Sequence, residues 1–369
     1  MRVYVAGTRM NDGKTITALG LLSAIGDYYH NVGYIKPVGQ KVQIIDGHQI
    51  DKDANLMNEI FQTGSQLNDM SPVAIPRGFT EEYILHGDPE TLKRRVLQSY
   101  LRASHGKDFM VIEGTGHAGV GSVIDLSNAE VAKLLNAPVV LVTLGGLGRP
   151  IDEVSINKAL FDSVGVKLLG VVVNKVAEDK YEKIDRLVRE GFGRKGIEVL
   201  GVVPFYPPLS SPTIRQLMED INGDLLCGEK GLDQSVSKIM IGDMPPHTAL
   251  EFFRGDELLI TPGNREDLIL AAMSGCVIGI SKAYCVKGII LTGGITPYRT
   301  IMKLVRRTNI PMILVKETTY ETAQRLNNLI VKIRPEDTDK IKQATSLIKS
   351  YVDVESIISR VRELYKKRA

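Results

Sequence analysis

The chain has 369 residues, 43% hydrophobic and 24% charged, and its 46 basic and 43 acidic residues leave a formal charge of +3. That balance excludes the concentrated basic face of a nucleic-acid binder; the runs Lys93-Arg94-Arg95 and Lys366-Lys367-Arg368 read as solvated helix faces and a basic tail. Three scattered cysteines (Cys227, Cys276, Cys285) argue against a disulfide framework or zinc site, Met1-Arg2 leads straight into the apolar run Val3–Ala6 with no signal peptide, and no apolar run approaches the ~20 residues of a membrane helix, so the expectation is a cytoplasmic protein of two domains.

In chain order, β-rich runs fit strands at Arg2–Ala6, Gly33–Ile35, Phe109–Ile112, Val139–Thr143, Leu168–Val173 and Glu198–Val203. Helical stretches between them fit Thr15–Gly26, Ala54–Phe61, Pro89–Ser104, Ala129–Leu135, Ile151–Ser163 and Lys180–Glu190. Strands that are continuous apolar runs, such as Val139–Val142, suit a parallel sheet buried on both faces, and the β/α alternation predicts a doubly wound α/β fold over residues 1–210. Prolines 204, 207, 208 and 212 then break the pattern, a short helix at Thr213–Glu219 follows, and the polar stretch Asn222–Gln234 reads as part of a linker over 211–235. A second, smaller α/β pattern over 236–369 has strands at Lys238–Ile241, Glu257–Thr261, Gly288–Leu291 and Pro311–Val315, and helices at Thr248–Phe253, Glu266–Ser274, Tyr298–Arg306 and Thr319–Leu329. It closes with helices over Glu336–Lys367, whose apolar positions (Ile341, Ala344, Ile348, Val352, Ile357, Val361) are expected to pack on this second domain.

The segment Gly7-Thr8-Arg9-Met10-Asn11-Asp12-Gly13-Lys14-Thr15 follows a strand and opens a helix, the setting in which backbone N–H groups and a helix N-terminus converge on a phosphate. Five residues separate Gly7 from Gly13-Lys14-Thr15, one more than in the strict P-loop pattern. Gly13 admits close backbone approach, Lys14 is placed for the β- and γ-phosphates, and Thr15 for Mg²⁺. Further oxygen ligands for Mg²⁺ are offered by Glu113, at the carboxyl end of a strand, and Asp53, ahead of the helix at Ala54; the plainer readings are a surface acid and a helix N-cap. Lys36, held extended by Pro37, ends the second strand, where it either neutralises an anion or is a surface lysine.

Taken together, Gly-Thr-x4-Gly-Lys-Thr, Tyr34-Ile35-Lys36-Pro37-Val38, Asp53-Ala54, Glu113-Gly114-Thr115-Gly116 and Val173-Asn174-Lys175 resemble dethiobiotin synthetase, which forms a cyclic urea through an acyl phosphate with ATP and Mg²⁺. The resemblance implies a P-loop NTPase-type sheet, Gly7, Thr8, Asn11, Asp12, Gly13, Lys14, Thr15, Asn174 and Lys175 around the nucleotide, Asn174 and Gly201–Pro204 at the base, Thr15, Asp53 and Glu113 on the metal, and Lys14 and Lys36 in the chemistry. Met10, Asn11, Gly39 and Gln40 depart from that enzyme where it handles its diamine, which argues against dethiobiotin synthesis. Over the whole chain, Asp51-Lys52-Asp53, Asn128–Ala132, His247–Phe253, Ile260–Asp267 and Leu291-Thr292-Gly293-Gly294 resemble the N-terminal regulatory region of long phosphotransacetylases, with its DRTGG domain. That implies a second ligand site at Arg265, Asp267, Thr292, Gly293 and Gly294; the equal alternative is that Arg265 pairs with Asp267 or Glu266 and fixes its turn. The expected function is an ATP·Mg²⁺-binding regulator responding to an anionic metabolite, with slow ATP hydrolysis and an acetyltransferase-type partner; the alternative is an ATP-dependent ligase that activates a carboxylate or carbamate as an acyl phosphate. Dethiobiotin synthetase suggests a homodimer; neither nucleic acid nor a membrane is expected as partner.

Overall fold

The computed structural model describes residues 1–278, 285–329 and 331–367, so Arg368 of the basic tail lies outside the described residues. The chain divides into two units, Met1–Tyr206 with Ile333–Ala369, and Pro207–Lys332.

Unit 1 runs β1 (Arg2–Gly7), α1 (Lys14–Ile25), β2 (Val32–Ile35), β3 (Val38–Gly39), β4 (Val42–Ile45), β5 (His48–Asp51), α2 (Lys52–Phe61), α3 (Leu67–Met70) and β6 (Val73–Ala74). It continues through α4 (Phe79–His86), α5 (Pro89–Ala103), β7 (Phe109–Glu113), α6 (Asn128–Leu134), β8 (Val139–Leu144), α7 (Gly148–Ser163), β9 (Leu168–Val176), α8 (Tyr181–Gly193) and β10 (Val199–Pro204). Six of these strands form one parallel sheet in the order β10-β9-β8-β1-β7-β2. Both faces are covered, which is why β7 and most of β8 and β9 are buried residue after residue rather than alternating. β1 is flanked by β7 and β8, strands consecutive along the sheet's path that fall on its two sides, and such a reversal opens a crevice at the strands' carboxyl ends. The loop Thr8–Gly13 leaves β1 at that point.

Unit 2 comprises α9 (Pro207–Ser210), α10 (Ile214–Ile221), β11 (Asp224–Cys227), β12 (Lys238–Ile241), α11 (Pro246–Leu250), β13 (Glu257–Pro262), α12 (Glu266–Ile278), β14 (Gly288–Thr292), α13 (Arg299–Val305), β15 (Met312–Leu314) and α14 (Thr319–Asn327). Its sheet has the order β11-β15-β14-β13-β12, parallel except for the antiparallel edge strand β11. Here the structure departs from the expected linker. Thr213 and Gln216 form a capping box that starts α10, whose Ile214, Leu217 and Ile221 are buried with Leu258, Ile260 and Ile313 of the sheet. The polar stretch beyond it carries β11 and belongs to the unit. The cysteines also depart from expectation, since Cys276 and Cys285 are disulfide-bonded, with Cα atoms 5.4 Å apart.

The last two helices, α15 (Thr338–Tyr351) and α16 (Val354–Lys366), correct the expected domain assignment, because they pack on α1 of unit 1. The cause lies in α1 itself, which is apolar around its whole circumference and buries Thr17 through Leu22 together with Ala24 and Ile25. A helix of that kind needs cover on both sides. The sheet supplies one side, and α15 the other, with Ile348 seated directly over Gly20. Peripheral polar contacts fasten the pair, including Lys349 to Asp27 at 2.6 Å, Tyr28 donating to Glu355 at 2.9 Å, and the Asp353 N–H donating to the Leu200 carbonyl at 2.7 Å. Among the described residues, no helix is long and apolar enough to cross a membrane.

Ile348→Ala is expected to lower the stability of unit 1 by about 2–5 kcal/mol, the usual cost of truncating a fully buried aliphatic side chain. Urea denaturation of the full chain measures it; a shift within experimental error would mean that α15 is not an integral cover for α1.

Candidate functional site

The loop between β1 and α1 is shaped by left-handed backbone at Asn11 (φ 66°) and Gly13 (φ 102°). Gly13 can be nothing larger, since an added Cβ would run into the Asn174 side-chain amide as well as strain the backbone. Asp12 is fully buried inside the turn; its Oδ2 accepts from the Thr8 hydroxyl at 2.8 Å and the Arg9 N–H at 2.7 Å, while Oδ1 is buried without a hydrogen-bond partner. Burial pushes the Asp12 carboxyl above the usual carboxylate range, against the pull of Thr8 and Lys14. From the outside, Thr8 also bonds Thr143 at the end of β8 (3.0 Å), and Arg9 is ion-paired with Glu153 of α7.

Lys14, the first residue of α1, is buried, and its ammonium bends back to donate to the Arg9 carbonyl at 2.8 Å. Burial lowers its pKa to about 8, with Glu113 and Asp12 opposing the shift. Thr15 donates to Glu113 Oε1 at 2.8 Å, and Tyr34 donates to Oε2 at 2.7 Å. The parallel register of β1 and β7, Val5 opposite Glu113, brings Glu113 level with the start of the loop. Burial raises the Glu113 pKa, with Lys36 pulling the other way.

Lys36 is buried rather than a surface lysine. Its ammonium contacts Asp53 and lies 3.2 Å from Asp51 Oδ1 and 3.5 Å from Glu113 Oε1. Burial alone would lower its pKa, but Asp53, Glu113 and Asp51 together outweigh that and hold it well above the ordinary lysine value. The N-cap role considered for Asp53 falls instead to Asp51, which accepts from the Asp53 N–H at 2.9 Å at the start of α2. The β4–β5 hairpin, which pairs Val42 with Asp51, delivers that carboxylate to Lys36. One ammonium thus faces three carboxylates, a formal excess of two negative charges beside the loop. The oxygen donors Thr15, Asp53 and Glu113 are of the kind a hard divalent cation takes. Among the described residues, no three His, Cys, Asp or Glu stand ready as a metal cage, because the Lys36 ammonium bridges the acids.

The structure brings Asn174 and Lys175 to this loop as well. Asn174 Nδ2 donates to the Asp12 carbonyl at 2.8 Å, its Oδ1 accepts from the Lys175 N–H at 2.9 Å, and Lys175 Nζ donates to the Asn11 carbonyl at 3.0 Å. The amide nitrogen of Asn174 and the ammonium of Lys175 therefore brace the loop, while the Asn174 oxygen fixes the turn at Lys175. Gly201, expected beside the base, pairs with Val352 at the sheet edge. Residues that sequence reasoning passed over are Tyr34, Asp51, Thr143 and Glu153. Tyr34 lies two positions before Lys36, which directly follows β2 in extended backbone, and that period-two spacing was the available signal.

In unit 2, Arg265 pairs with Asp267 through two bonds of 3.0 and 3.1 Å and donates to the Met244 carbonyl, so it fixes the turn before α12. Thr292 shares a hydrogen bond with Thr319. The amides of Gly293 and Gly294 donate to the carbonyls of Glu317 and Val315, both at 2.8 Å. The two turns do meet, for a Cβ on Gly263 would strike the Ile295 carbonyl. Their polar groups are occupied with each other and with the backbone.

A parallel sheet with this glycine loop at its reversal point, a lysine and threonine opening the next helix and an acid ending the neighbouring strand define a P-loop ATPase-like domain, here joined to a second α/β unit. The chain belongs to the AAA domain family, whose model matches residues 1–213, and a DRTGG domain model matches residues 216–329. Over 97% of its length it is 27% identical to a phosphate acetyltransferase of Nitratidesulfovibrio vulgaris, covering 51% of that protein. A phosphate acetyltransferase of Synechocystis is likewise 27% identical, over 99% of this chain and 52% of the relative. The architecture is therefore long phosphotransacetylase-like, and the chain spans about half the length of the curated relatives it matches. Among solved structures, the septum site-determining protein MinD complexed with Mg-ADP from Pyrococcus horikoshii is 16% identical over 57% of this chain and 84% of that one, at a TM-score of 0.36.

Lys36→Met would leave Asp51, Asp53 and Glu113 buried together without their cation, and the expected cost is about 3–5 kcal/mol at pH 7.5. Burial already raises the Glu113 pKa and Lys36 opposes that shift, so removing the cation lifts the Glu113 pKa further in the folded state. The folded chain then binds more protons than the unfolded one as pH falls, so the deficit shrinks towards pH 5. Urea denaturation at both pH values tests this, and an equal deficit at each would contradict the assigned charge balance.

Proposed function

We propose that unit 1 binds ATP with Mg²⁺ and that the chain is a nucleotide-responsive regulator which hydrolyses ATP slowly. The observation that carries this reading is the Lys14 ammonium, buried beside the loop and, among the described residues, hydrogen-bonded to one backbone carbonyl that a phosphate oxygen can replace. In this reading Gly7, Thr8, Asn11, Asp12 and Gly13 supply the loop, Lys14 neutralises the β- and γ-phosphates, and Thr15, Asp53 and Glu113 hold the metal directly or through water. Bound Mg²⁺ would draw charge from the terminal phosphate. Asn174 and Lys175 keep the loop in its receptive shape. The regulatory half of the proposal rests on the likeness to phosphate acetyltransferases, with an acetyltransferase-type enzyme as partner, an anionic metabolite as signal and a homodimer as working assembly.

A second reading is favoured by one observation, the retention of a buried Lys36 beside the metal acids. A lysine so placed can hold a carboxylate or carbamate for phosphorylation by ATP, giving the acyl phosphate of an ATP-dependent ligase. Phosphate release stimulated by one carboxylate among many would favour the ligase. ATP-dependent change in the rate of a phosphate acetyltransferase, with unstimulated slow hydrolysis, would favour the regulator.

Calorimetric titration tests the common core. Lys14→Ala is expected to weaken Mg-ATP binding by about 2–3 kcal/mol, roughly 30- to 150-fold, through loss of a charge-assisted contact. In the wild type the triphosphate favours protonated Lys14, whose pKa is about 8 without ligand, amid Glu113, Asp12, Lys36 and Asp53. Binding therefore takes up a proton at higher pH, and affinity should fall by up to about tenfold per pH unit above that value. An unchanged affinity in the variant would remove Lys14 from the phosphate site.

A further inference from the structure

At the opposite end of the unit 1 sheet from the glycine loop, the amino ends of β9 and β10 open a crevice of about 560 Å³. Three helices and a loop contribute cations to it, namely Lys158 of α7, Arg189 of α8, Arg360 of α16 and Lys167 just before β9, whereas Glu198 is the one acid in its lining. Gly193 and Gly196 leave it open, since a Cβ on either would meet nothing within 4 Å. A volume of this order is that of a small-molecule site.

Three of the four cations have anionic partners: Lys158 with Asp162, Arg189 with Asp185 and Arg360 with Glu198. These pairs are solvent-exposed, contribute little to stability and exchange readily. Arg189 keeps capacity beyond its carboxylate, because it binds Asp185 through Nε and the Val199 carbonyl through Nη1, leaving Nη2. Arg360 uses Nε on Ser356, Nη1 on the Leu169 carbonyl at 3.5 Å and Nη2 on Glu198, so it meets a ligand by exchanging that long contact or its carboxylate. The Lys167 side chain has no ion pair or hydrogen bond among the described residues. Counting every partner, four positive charges face three negative ones, so the crevice keeps a net positive charge. Helix C-termini attract cations, which accounts for Arg189 near the end of α8. It does not account for Lys167, which stands in a loop, or for Arg360, which α16 brings to the crevice from its own middle.

We propose that this crevice is a binding site for a small organic polyanion bearing carboxylate or phosphoryl groups, held between Lys167, Arg189 and Arg360. Such a ligand bridges the C-terminal helix α16 to the sheet and to α8. It is separate from the nucleotide site and does not depend on how that site functions.

The test uses the full chain carrying Lys14→Ala, which disables the phosphate loop as a competing anion site, with citrate and inorganic pyrophosphate titrated separately by calorimetry without Mg²⁺. Saturable binding of at least one probe is expected, weakened at least tenfold by adding Lys167→Glu or Arg189→Gln, both exposed substitutions. Citrate alone would identify the groups recognised as carboxylates, and pyrophosphate alone as phosphoryl groups. Hydrogen exchange should show slowed amide exchange in α16 with the binding probe. Failure of both probes to saturate, or affinity unmoved by the two charge changes, overturns the proposal. Mg-ATP affinity in the same Lys14→Ala chain equal to that of the wild type would instead strike at the reading of the loop and leave the crevice untouched.

Discussion

Helix α1 has no solvent face to offer, and the architecture of unit 1 follows from covering it. Its amino end carries Lys14 and Thr15, so any account of the phosphate loop is also an account of what holds α1 in place. The sheet covers one side. The other needs a second layer, and the chain supplies it from its far end, with Ile348 over Gly20 and Val352 paired with Gly201 at the sheet edge. Unit 2 is thereby an insertion within unit 1 in the order of the chain, since its residues fall between β10 and α15.

Electrostatics supplies the second organising constraint. Two lysines are buried within one site, under opposite influences. Lys14 is dominated by desolvation, and its pKa falls. Lys36 is dominated by three carboxylates, and its pKa rises. A cation of lowered pKa gains from meeting a polyanion, whereas one already surrounded by acids is a stable counter-charge. The two are therefore suited to different tasks under the proposed function, Lys14 to meeting an incoming anion and Lys36 to balancing the buried acids.

Much of this was legible in the sequence. Apolar runs such as Val139–Val142 mark strands buried on both faces, and the Gly-Lys-Thr turn between strand and helix marks the loop. The C-terminal helices were misassigned because amphipathic periodicity says that a helix packs but not against what; the missing clue was α1, apolar on all sides within a domain that already had its sheet. The stretch around β11 has the composition of a linker because an edge strand needs few apolar residues, and its pairing with β15 is a long-range event that local composition does not record. The carboxylate at Asp51 was hidden behind Asp53, whose place at a helix start looked the more eligible for a cap. Glu153 reaches the site through tertiary packing alone, from α7.

The insertion bears on how the polypeptide is made. Residues 1–206 leave the ribosome with one flank of α1 bare, and the segment that closes it arrives only after the whole of unit 2 has been synthesised. Unit 2 has its own sheet and core and is placed to fold while the first segment waits, an arrangement that exposes aliphatic surface during translation. Completion of unit 1 is thus a late docking step, and slowing elongation through unit 2 lengthens the interval in which that flank stays exposed.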